Sequence, residues 1–198
     1  MTSFQHEVLA HTERYAGPIF HVYTDEVTMS DGRIAARDLV INKGAVGIVA
    51  LDDVGRVVLI RQYRHPVRRR LWELPAGLRD VEGEDLVVTA ARELAEETDL
   101  RAGRFDLLVD LHTSPGFSTE TIRLFLARDL SPVPDEERHE RTDEEADIEI
   151  AWLDLDEAVA MVLRGEITNA SAVAGLLAAA RARDDGWATL RPADTPPV

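Results

Sequence analysis

The chain has 198 residues, a formal net charge of −15 and no cysteine. This length suffices for one domain with a substantial core, and the absence of cysteine excludes disulfides, zinc-thiolate sites, iron–sulfur clusters and a cysteine nucleophile. The negative charge opposes non-specific binding to nucleic acid or an anionic membrane. Because no apolar run could span a bilayer and residues 1–17 lack the layout of a signal peptide, we expect a cytoplasmic protein with no nucleic acid polymer or membrane as partner.

The first half of the chain predicts strands, a loop and a helix. The strand patterns alternate and carry β-branched residues, and the first two flank a turn at Asp31-Gly32. The predicted strands are residues 18–28, 33–41, 45–51 and 56–62. Residues 64–84 are rich in Pro and Gly and predict a loop with a short strand. Residues 84–98 predict a helix with one apolar stripe.

The second half predicts further strands, two helices and a long acidic loop. The predicted strands are 105–112, 121–127 and 148–153, and the predicted helices are 155–164 and 168–183. Residues 131–147, hereafter the acidic segment, are long for a loop in a compact domain and are therefore a candidate for function. The expected fold class is α/β, or α+β, with a mixed sheet. The expected organisation is an N-terminal β-strand region at 1–44, a domain at 45–190 and a flexible tail at 191–198.

Three glutamates crowd one side of the helix predicted over 84–98. At about 100° per residue, Glu97 lies about 40° from Glu93 on the helix wheel, and Glu96 lies about 60° to the other side. Like charges at this spacing repel by on the order of a few tenths of a kcal/mol in water, and by more where water is scarce. A solvated acidic face is the ordinary explanation, but the cluster also suits a hard divalent cation.

The surrounding residues resemble the Nudix box, the loop–helix–loop signature of the Nudix hydrolases. They are Gly77, Glu84, Arg92-Glu93-Leu94-Ala95-Glu96-Glu97 and Leu100. The chain departs from that signature twice, with six residues instead of five between Gly77 and Glu84, and with Asp99 in place of a glycine. Asp tolerates the left-handed conformation, so a helix cap is still expected there. The resemblance implies the Nudix fold, an α/β/α sandwich with a mixed sheet.

The resemblance also implies roles for the box residues. The implied ligands of Mg²⁺, or of Mn²⁺ as a substitute, are the carbonyl of Ala76 and the carboxylates of Glu93, Glu96 and Glu97. Of these, Glu93 and Glu97 are also expected to be essential for catalysis. Arg92 would orient a box glutamate, either Glu84 or Glu93, and the alternative is a surface pair with Glu96, which would contribute little to stability.

Segments outside the box resemble the ADP-ribose pyrophosphatase subgroup of that family, most closely its actinobacterial members. They are residues 61–64, residues 71–77, and a Pro115-Gly116 turn followed by Glu120. The resemblance implies Mg²⁺-dependent hydrolysis of the pyrophosphate bond of ADP-ribose, giving AMP and ribose 5-phosphate. An ordinary turn between strands would also explain Pro115-Gly116.

Five residues are candidates for binding the substrate: Phe20, Arg64, Glu73, Gly116 and Glu120. Arg64 belongs to an arginine-rich run at 61–70, and a guanidinium suits phosphate oxygens. Glu73 could instead pair with one of those arginines. Related enzymes are homodimers whose N-terminal strands help to clamp the adenine, which would involve Phe20, but the apolar residues of this segment could equally pack in a sheet or core.

The acidic segment is expected to supply the residue that activates water. By resemblance, Glu145 matches the catalytic position and Glu144 is the second choice, while most other carboxylates of the segment would be solvated. Other hypotheses remain open, namely a Nudix hydrolase of another nucleoside diphosphate sugar such as GDP-mannose, or a non-catalytic Nudix-like sensor that binds ADP-ribose. A Ca²⁺ site is disfavoured, because no EF-hand spacing is present.

Overall fold

The structure is a computed structural model, and it describes residues 6–81, 83–141 and 147–197. These residues form three helices and eleven strands. The helices are α1 (Leu86–Thr98), α2 (Leu155–Leu163) and α3 (Ala170–Asp184). The strands are β1 (Val8–Ala16), β2 (Phe20–Thr28), β3 (Ile34–Asn42), β4 (Ala45–Ala50), β5 (Arg56–Arg64), β6 (Arg69–Glu73), β7 (Ala76–Leu78), β8 (Leu100–His112), β9 (Thr121–Pro132), β10 (Glu149–Asp154) and β11 (Arg191–Pro192).

The chain divides into two compact units, of which the larger comprises residues 45–111 and 122 onward. In this larger unit, β4 pairs in parallel with β9 and antiparallel with β7, within a mixed five-stranded sheet of order β11-β8-β9-β4-β7. A second sheet has the order β10-β5-β6 and is antiparallel. The mixed sheet is the one that the sequence predicted.

Strand β4 explains why helices cover both faces of the sheet. Its residues are apolar at every position except one glycine, so both of its faces can be buried. Because successive side chains point to opposite faces, Ile48 and Ala50 pack in one cluster with Leu94 of α1. Val49 packs in the other cluster with Leu176 of α3. The result is helix–sheet–helix layering, with α1 on one face and α2 and α3 on the other.

The predicted helices are all present, and several strands are longer than predicted. Strand β8 begins at Leu100 rather than at 105, and β9 continues to Pro132 rather than ending at 127. The first residues of the acidic segment therefore lie in a strand. The predicted loop over 64–84 contains two short strands, β6 and β7, rather than one.

The smaller unit comprises residues 112–121 and the described residues before 45. Its antiparallel sheet has the order β1-β2-β3, and Val40 of β3 donates a backbone hydrogen bond to Phe117 O at 2.8 Å. From the sequence, residues 112–121 are expected in the domain of residues 45–190, whereas in the structure they group with β1, β2 and β3. Strand β1 was not predicted at all, because its side chains are exposed at all but one position and so lack the alternation that marks a half-buried strand.

The segment after α3, predicted as a flexible tail from residue 191, makes defined contacts. Strand β11 pairs with β8, and Arg123, which is only 5% exposed, donates hydrogen bonds to the carbonyls of Thr195 and Pro196. Arg123 also forms an ion pair with Asp110 at 2.7 Å. A buried arginine therefore ties the chain near its end to strand β9.

None of the helices in the described residues combines the length and the apolar character needed to cross a membrane.

Candidate active site

Helix α1 carries two of its glutamates on its buried side. Glu93 is 8% exposed and Glu97 is 5% exposed, and both lie on the side of the helix that also buries Ala90 and Leu94. A solvated acidic face therefore does not describe these two residues. Buried carboxylates are costly unless they are compensated by hydrogen bonds or cations, so their neighbours decide what they can do.

Ala76 and Gly77 of strand β7 are the first of these neighbours. The backbone N–H of Ala76 donates to Glu97 Oε2 at 2.8 Å, which ties the last turn of α1 to strand β7. The carboxylate of Glu93 lies against Gly77, where an added Cβ would stand 2.0 Å from the carboxylate carbon. The glycine is therefore needed for Glu93 to keep this position.

Arg92 joins four carboxylates. Its Nη1 donates to Glu93 Oε1 at 2.7 Å and to Glu96 Oε2 at 3.1 Å, and its Nη2 lies 3.6 Å from Glu84 and 3.5 Å from Asp80. The alternatives that the sequence left open for Arg92 are thus present together. The sequence analysis did not single out Asp80, and only its place in the loop before α1 could have suggested it.

Burial is the largest influence on the protonation of Glu93. It raises the pKa of Glu93 above the ordinary value of 4.5, Arg92 acts in the opposite direction, and the nearby charge of Glu96 adds to the rise. The site therefore holds a carboxylate whose ionised form is not fully compensated by its protein neighbours. A bound cation would supply the missing compensation.

Helix α1 ends at Asp99 in the left-handed conformation that its place in the box predicts. Asp99 has φ 57° and ψ 32°, and its backbone N–H donates to Ala95 O at 3.0 Å. The expected helix cap is present even though an aspartate stands in place of glycine. This fixes the last turn of the helix, which carries Glu96 and Glu97.

Two of the predicted substrate-binding residues bind each other in the larger unit. Arg64, at the end of β5, and Glu73, at the end of β6, form a forked ion pair with distances of 3.0 Å from Nε to Oε1 and 2.7 Å from Nη2 to Oε2. Glu73 is buried, whereas the Arg64 side chain is 42% exposed. Gln62, which the sequence analysis did not consider, adds a hydrogen bond to Glu73 at 3.4 Å. The carboxylate thus holds the guanidinium in a fixed place at the surface.

Comparison with known proteins identifies the family. The model of the NUDIX domain matches residues 42–175. The chain belongs to the Nudix family. The prediction made from the box residues is therefore confirmed, and α1 is the Nudix helix of this chain.

Two relatives and one solved structure extend this finding. An ADP-ribose pyrophosphatase of Mycobacterium tuberculosis is 47% identical over 195 residues, which make up 98% of this Nudix chain and 92% of that protein. An ADP-ribose pyrophosphatase of Bacillus subtilis is 33% identical over 170 residues, covering 86% and 90%. The crystal structure of an ADP compounds hydrolase has the same fold, with a TM-score of 0.80, 22% identity, and coverage of 94% of this chain and 99% of that one. The predicted Nudix fold is confirmed.

Nudix hydrolases generally use a divalent metal, and the carboxylates of the Nudix helix fit such an ion in part. In the described ranges, no three acidic or histidine side chains converge as a metal-binding group, and Arg92 donates to the carboxylates of both Glu93 and Glu96. The donor chemistry nevertheless suits a hard cation, since carboxylate and carbonyl oxygens are its preferred ligands. The close approach of Glu93 to Gly77 and the raised pKa of Glu93 also agree with a site that a cation completes.

The remaining predicted site residues of this Nudix protein belong either to the smaller unit or to residues that the structure does not describe. Phe20, Gly116 and Glu120 belong to the smaller unit. There, the exposed Phe20 ring lies 5.6 Å from the Tyr15 ring, and Glu120 accepts a hydrogen bond from the hydroxyl of Thr113. Their roles stay predictions. Glu144 and Glu145 fall outside the described residues.

Proposed function

We propose that this Nudix protein hydrolyses the pyrophosphate bond of ADP-ribose to AMP and ribose 5-phosphate. The observation that carries the proposal is the 47% identity over nearly the whole chain to a protein named ADP-ribose pyrophosphatase. The full set of box carboxylates on α1 supports turnover rather than binding alone.

The proposed metal ligands are the carbonyl of Ala76 and the carboxylates of Glu93, Glu96 and Glu97, with Mg²⁺ as the ion and Mn²⁺ as a substitute. When bound, such ions screen the charge of the phosphates and lower the pKa of the attacking water. Arg92 keeps the carboxylates grouped before an ion arrives, because it joins Glu93 and Glu96. It would have to release at least one of them as the ion binds.

Arg64 is the proposed contact to the diphosphate. Its guanidinium is half-exposed, and the buried carboxylate of Glu73 fixes its orientation. A guanidinium presents its N–H donors in a planar fork that suits phosphate oxygens. Glu73 would then act on the substrate through Arg64 as well as by any hydrogen bond of its own.

Glu145 is the proposed general base, with Glu144 as the second choice. In the reaction, the carboxylate accepts a proton from water as the water oxygen forms a bond to one phosphorus atom. The bond from that phosphorus to the bridging oxygen breaks, and the bridging oxygen leaves on the other phosphate. Support comes from sequence position, because Glu145 lies in the acidic segment shortly before β10.

We further propose a cytoplasmic homodimer in which the smaller unit takes part in dimerisation and in binding the substrate through Phe20, Gly116 and Glu120. Apolar side chains exposed on the described part of this unit support an interface there. They are Val8, Leu9, Tyr15, Ile19, Phe20, Ile34 and Phe117. The net charge of −15 argues against nucleic acid polymers as partners.

The decisive test is to incubate the purified full chain with Mg²⁺ and separately with ADP-ribose and GDP-mannose, and to identify the products by chromatography. The proposal expects AMP and ribose 5-phosphate, with a higher kcat/KM for ADP-ribose, and no turnover in the presence of a chelator. Preferred cleavage of GDP-mannose would show that the proposed substrate is wrong, although the proposed Nudix chemistry would still hold. Tight binding of ADP-ribose without turnover would overturn the enzymatic proposal in favour of a sensor.

A further inference from the structure

The C-terminal end of α1 is bound by an arginine from the acidic segment. Arg141 donates from Nε to the carbonyl of Glu96 at 2.9 Å and from Nη2 to Asp99 Oδ2 at 2.5 Å. Both side chains are about one quarter exposed, so the pair is partly shielded from water. A cation at this end also complements the helix dipole. The chain at residue 141 is therefore held to the helix that carries the proposed metal ligands.

Contacts on either side of Arg141 hold the acidic segment at further points. Near its beginning, the backbone N–H of Val133 donates to Asp99 O at 2.8 Å, and Glu137 pairs with Arg101. At its end, Arg70 donates to Asp147 O at 3.0 Å. Arg141 and Asp147, the residues on either side of 142–146 in the sequence, are therefore both held by contacts. Asp99 takes part in the contacts of both Val133 and Arg141.

The identity of Asp99 points to a role for its carboxylate. The backbone there has φ 57°, a conformation in which glycine is the unstrained residue and in which the Nudix box normally has glycine. An aspartate therefore adds nothing to the backbone turn itself. What it adds is the carboxylate that binds Arg141, a contact that a glycine could not make.

We propose that Asp99 and Arg141 are positioning residues for hydrolysis, which hold the chain ahead of residue 142 in place against the end of α1. The inference rests on the proposed function, in which a carboxylate of the acidic segment activates water beside metal ligands on α1. The contacts of Arg141 hold residue 141 at the end of the helix that carries the proposed metal ligands, and so limit the movement of the chain at that point. Because a displacement of about 1 Å can cost roughly a hundredfold in rate, such an anchor acts on kcat.

The test compares Asp99→Gly, Arg141→Gln and the double variant in the full chain. Asp99→Gly is well suited, since glycine keeps the helix cap and removes only the carboxylate. We expect each single variant to lower kcat by about tenfold, with KM for ADP-ribose changed less than about twofold, and the double variant to be no slower than the slower single variant. Asp99→Asn should recover part of kcat, because its amide oxygen still accepts from Arg141.

A second measurement separates positioning from a general structural effect. In a Glu145→Gln background, Asp99→Gly should lower kcat no further, because the group that it positions has already been removed. Arg164→Gln is the matched control, since Arg164 forms comparable ion pairs with Glu157 and Glu166 at the end of α2. It should leave kcat unchanged.

Three outcomes would contradict the inference. Unchanged kcat in Asp99→Gly and Arg141→Gln, effects that multiply in the double variant, or a further tenfold loss in the Glu145→Gln background would each overturn the inference. None of these results would affect the proposed function, which depends on turnover by the unsubstituted protein. Conversely, if the unsubstituted protein hydrolyses no nucleoside diphosphate sugar, the proposed function fails first and the inference fails with it.

Discussion

Replacing Gly77 by alanine tests whether the position of Glu93 matters for catalysis. The new Cβ would stand 2.0 Å from the carboxylate carbon of Glu93 and 2.2 Å and 2.4 Å from its oxygens. Ordinary contact between such atoms needs about 3.5 Å, so the carboxylate must withdraw by roughly 1.5 Å. The φ of Gly77 is not in the left-handed region, so the alanine itself brings no backbone strain.

The expected effect is large on activity and small on stability. Since the obstructing atoms are the end of a flexible side chain, Glu93 can move to another rotamer at a cost of about 1 kcal/mol, a shift of roughly 2–4 °C in Tm for a chain of this length. The same displacement takes Glu93 away from its place beside Arg92 and Gly77. We expect kcat to fall about a hundredfold, together with a higher Mg²⁺ concentration for half-maximal activity.

Steady-state kinetics across a Mg²⁺ titration, together with thermal unfolding, provide the assay. The control is Glu93→Ala, alone and combined with Gly77→Ala. If Gly77 acts only by leaving room for Glu93, the alanine at position 77 should have no further effect once the glutamate side chain is gone. Near-normal kcat in Gly77→Ala, or an equal further loss in the Glu93→Ala background, would refute the reasoning.

Three more predictions follow from the site and the fold. Glu93→Gln should lose about a hundredfold or more in activity, yet it should raise Tm of the metal-free protein at pH 7. The reason is that the pKa of Glu93 is raised in the folded state, so ionisation of this carboxyl opposes folding above its ordinary pKa of 4.5. This gain should disappear as the pH falls to about 3, where the group is largely protonated in both states, and a lower Tm at pH 7 would contradict the prediction. Glu145→Gln should lower kcat by roughly 10²–10⁴-fold with an unchanged circular dichroism spectrum, and near-full kcat would exclude Glu145 as the base. Arg123→Leu should reduce the free energy of unfolding in urea by about 3 kcal/mol, because it removes the buried partner of Asp110 and the donor to the carbonyls of Thr195 and Pro196. Asp110 then keeps only the more exposed Arg191, at 3.5 Å, and a loss below about 1 kcal/mol would contradict the prediction.

The elements of the larger unit were predictable because each has a periodic apolar pattern. Strand β4 is apolar on both faces, and α1 has an apolar stripe beside its acids. Strand β1 could not be found in this way, because nearly all of its side chains are exposed and only its pairing with β2 makes it a strand. The ends of β8 and β9 were likewise missed, because charged residues interrupt the apolar pattern at 101–104 and at 128–129.

For the site, sequence spacing indicated candidate residues but not how their side chains are joined. The box spacing placed three glutamates on one side of a helix, but it did not show that Arg92 joins two of them at once, because that depends on rotamers. The forked pair of Arg64 and Glu73 spans two strands, so strand pairing creates it rather than spacing along the chain. The forked pair therefore arises only when the tertiary structure is formed.

The buried carboxylate of Glu93 also bears on attempts to engineer this protein. A library selected for heat resistance in the absence of divalent ions would favour uncharged residues at position 93, because they relieve the cost of burying that charge. The most heat-resistant clones would then be among the least active. Selecting with Mg²⁺ present would remove this conflict, since a bound ion makes the same carboxylate favourable for the folded state.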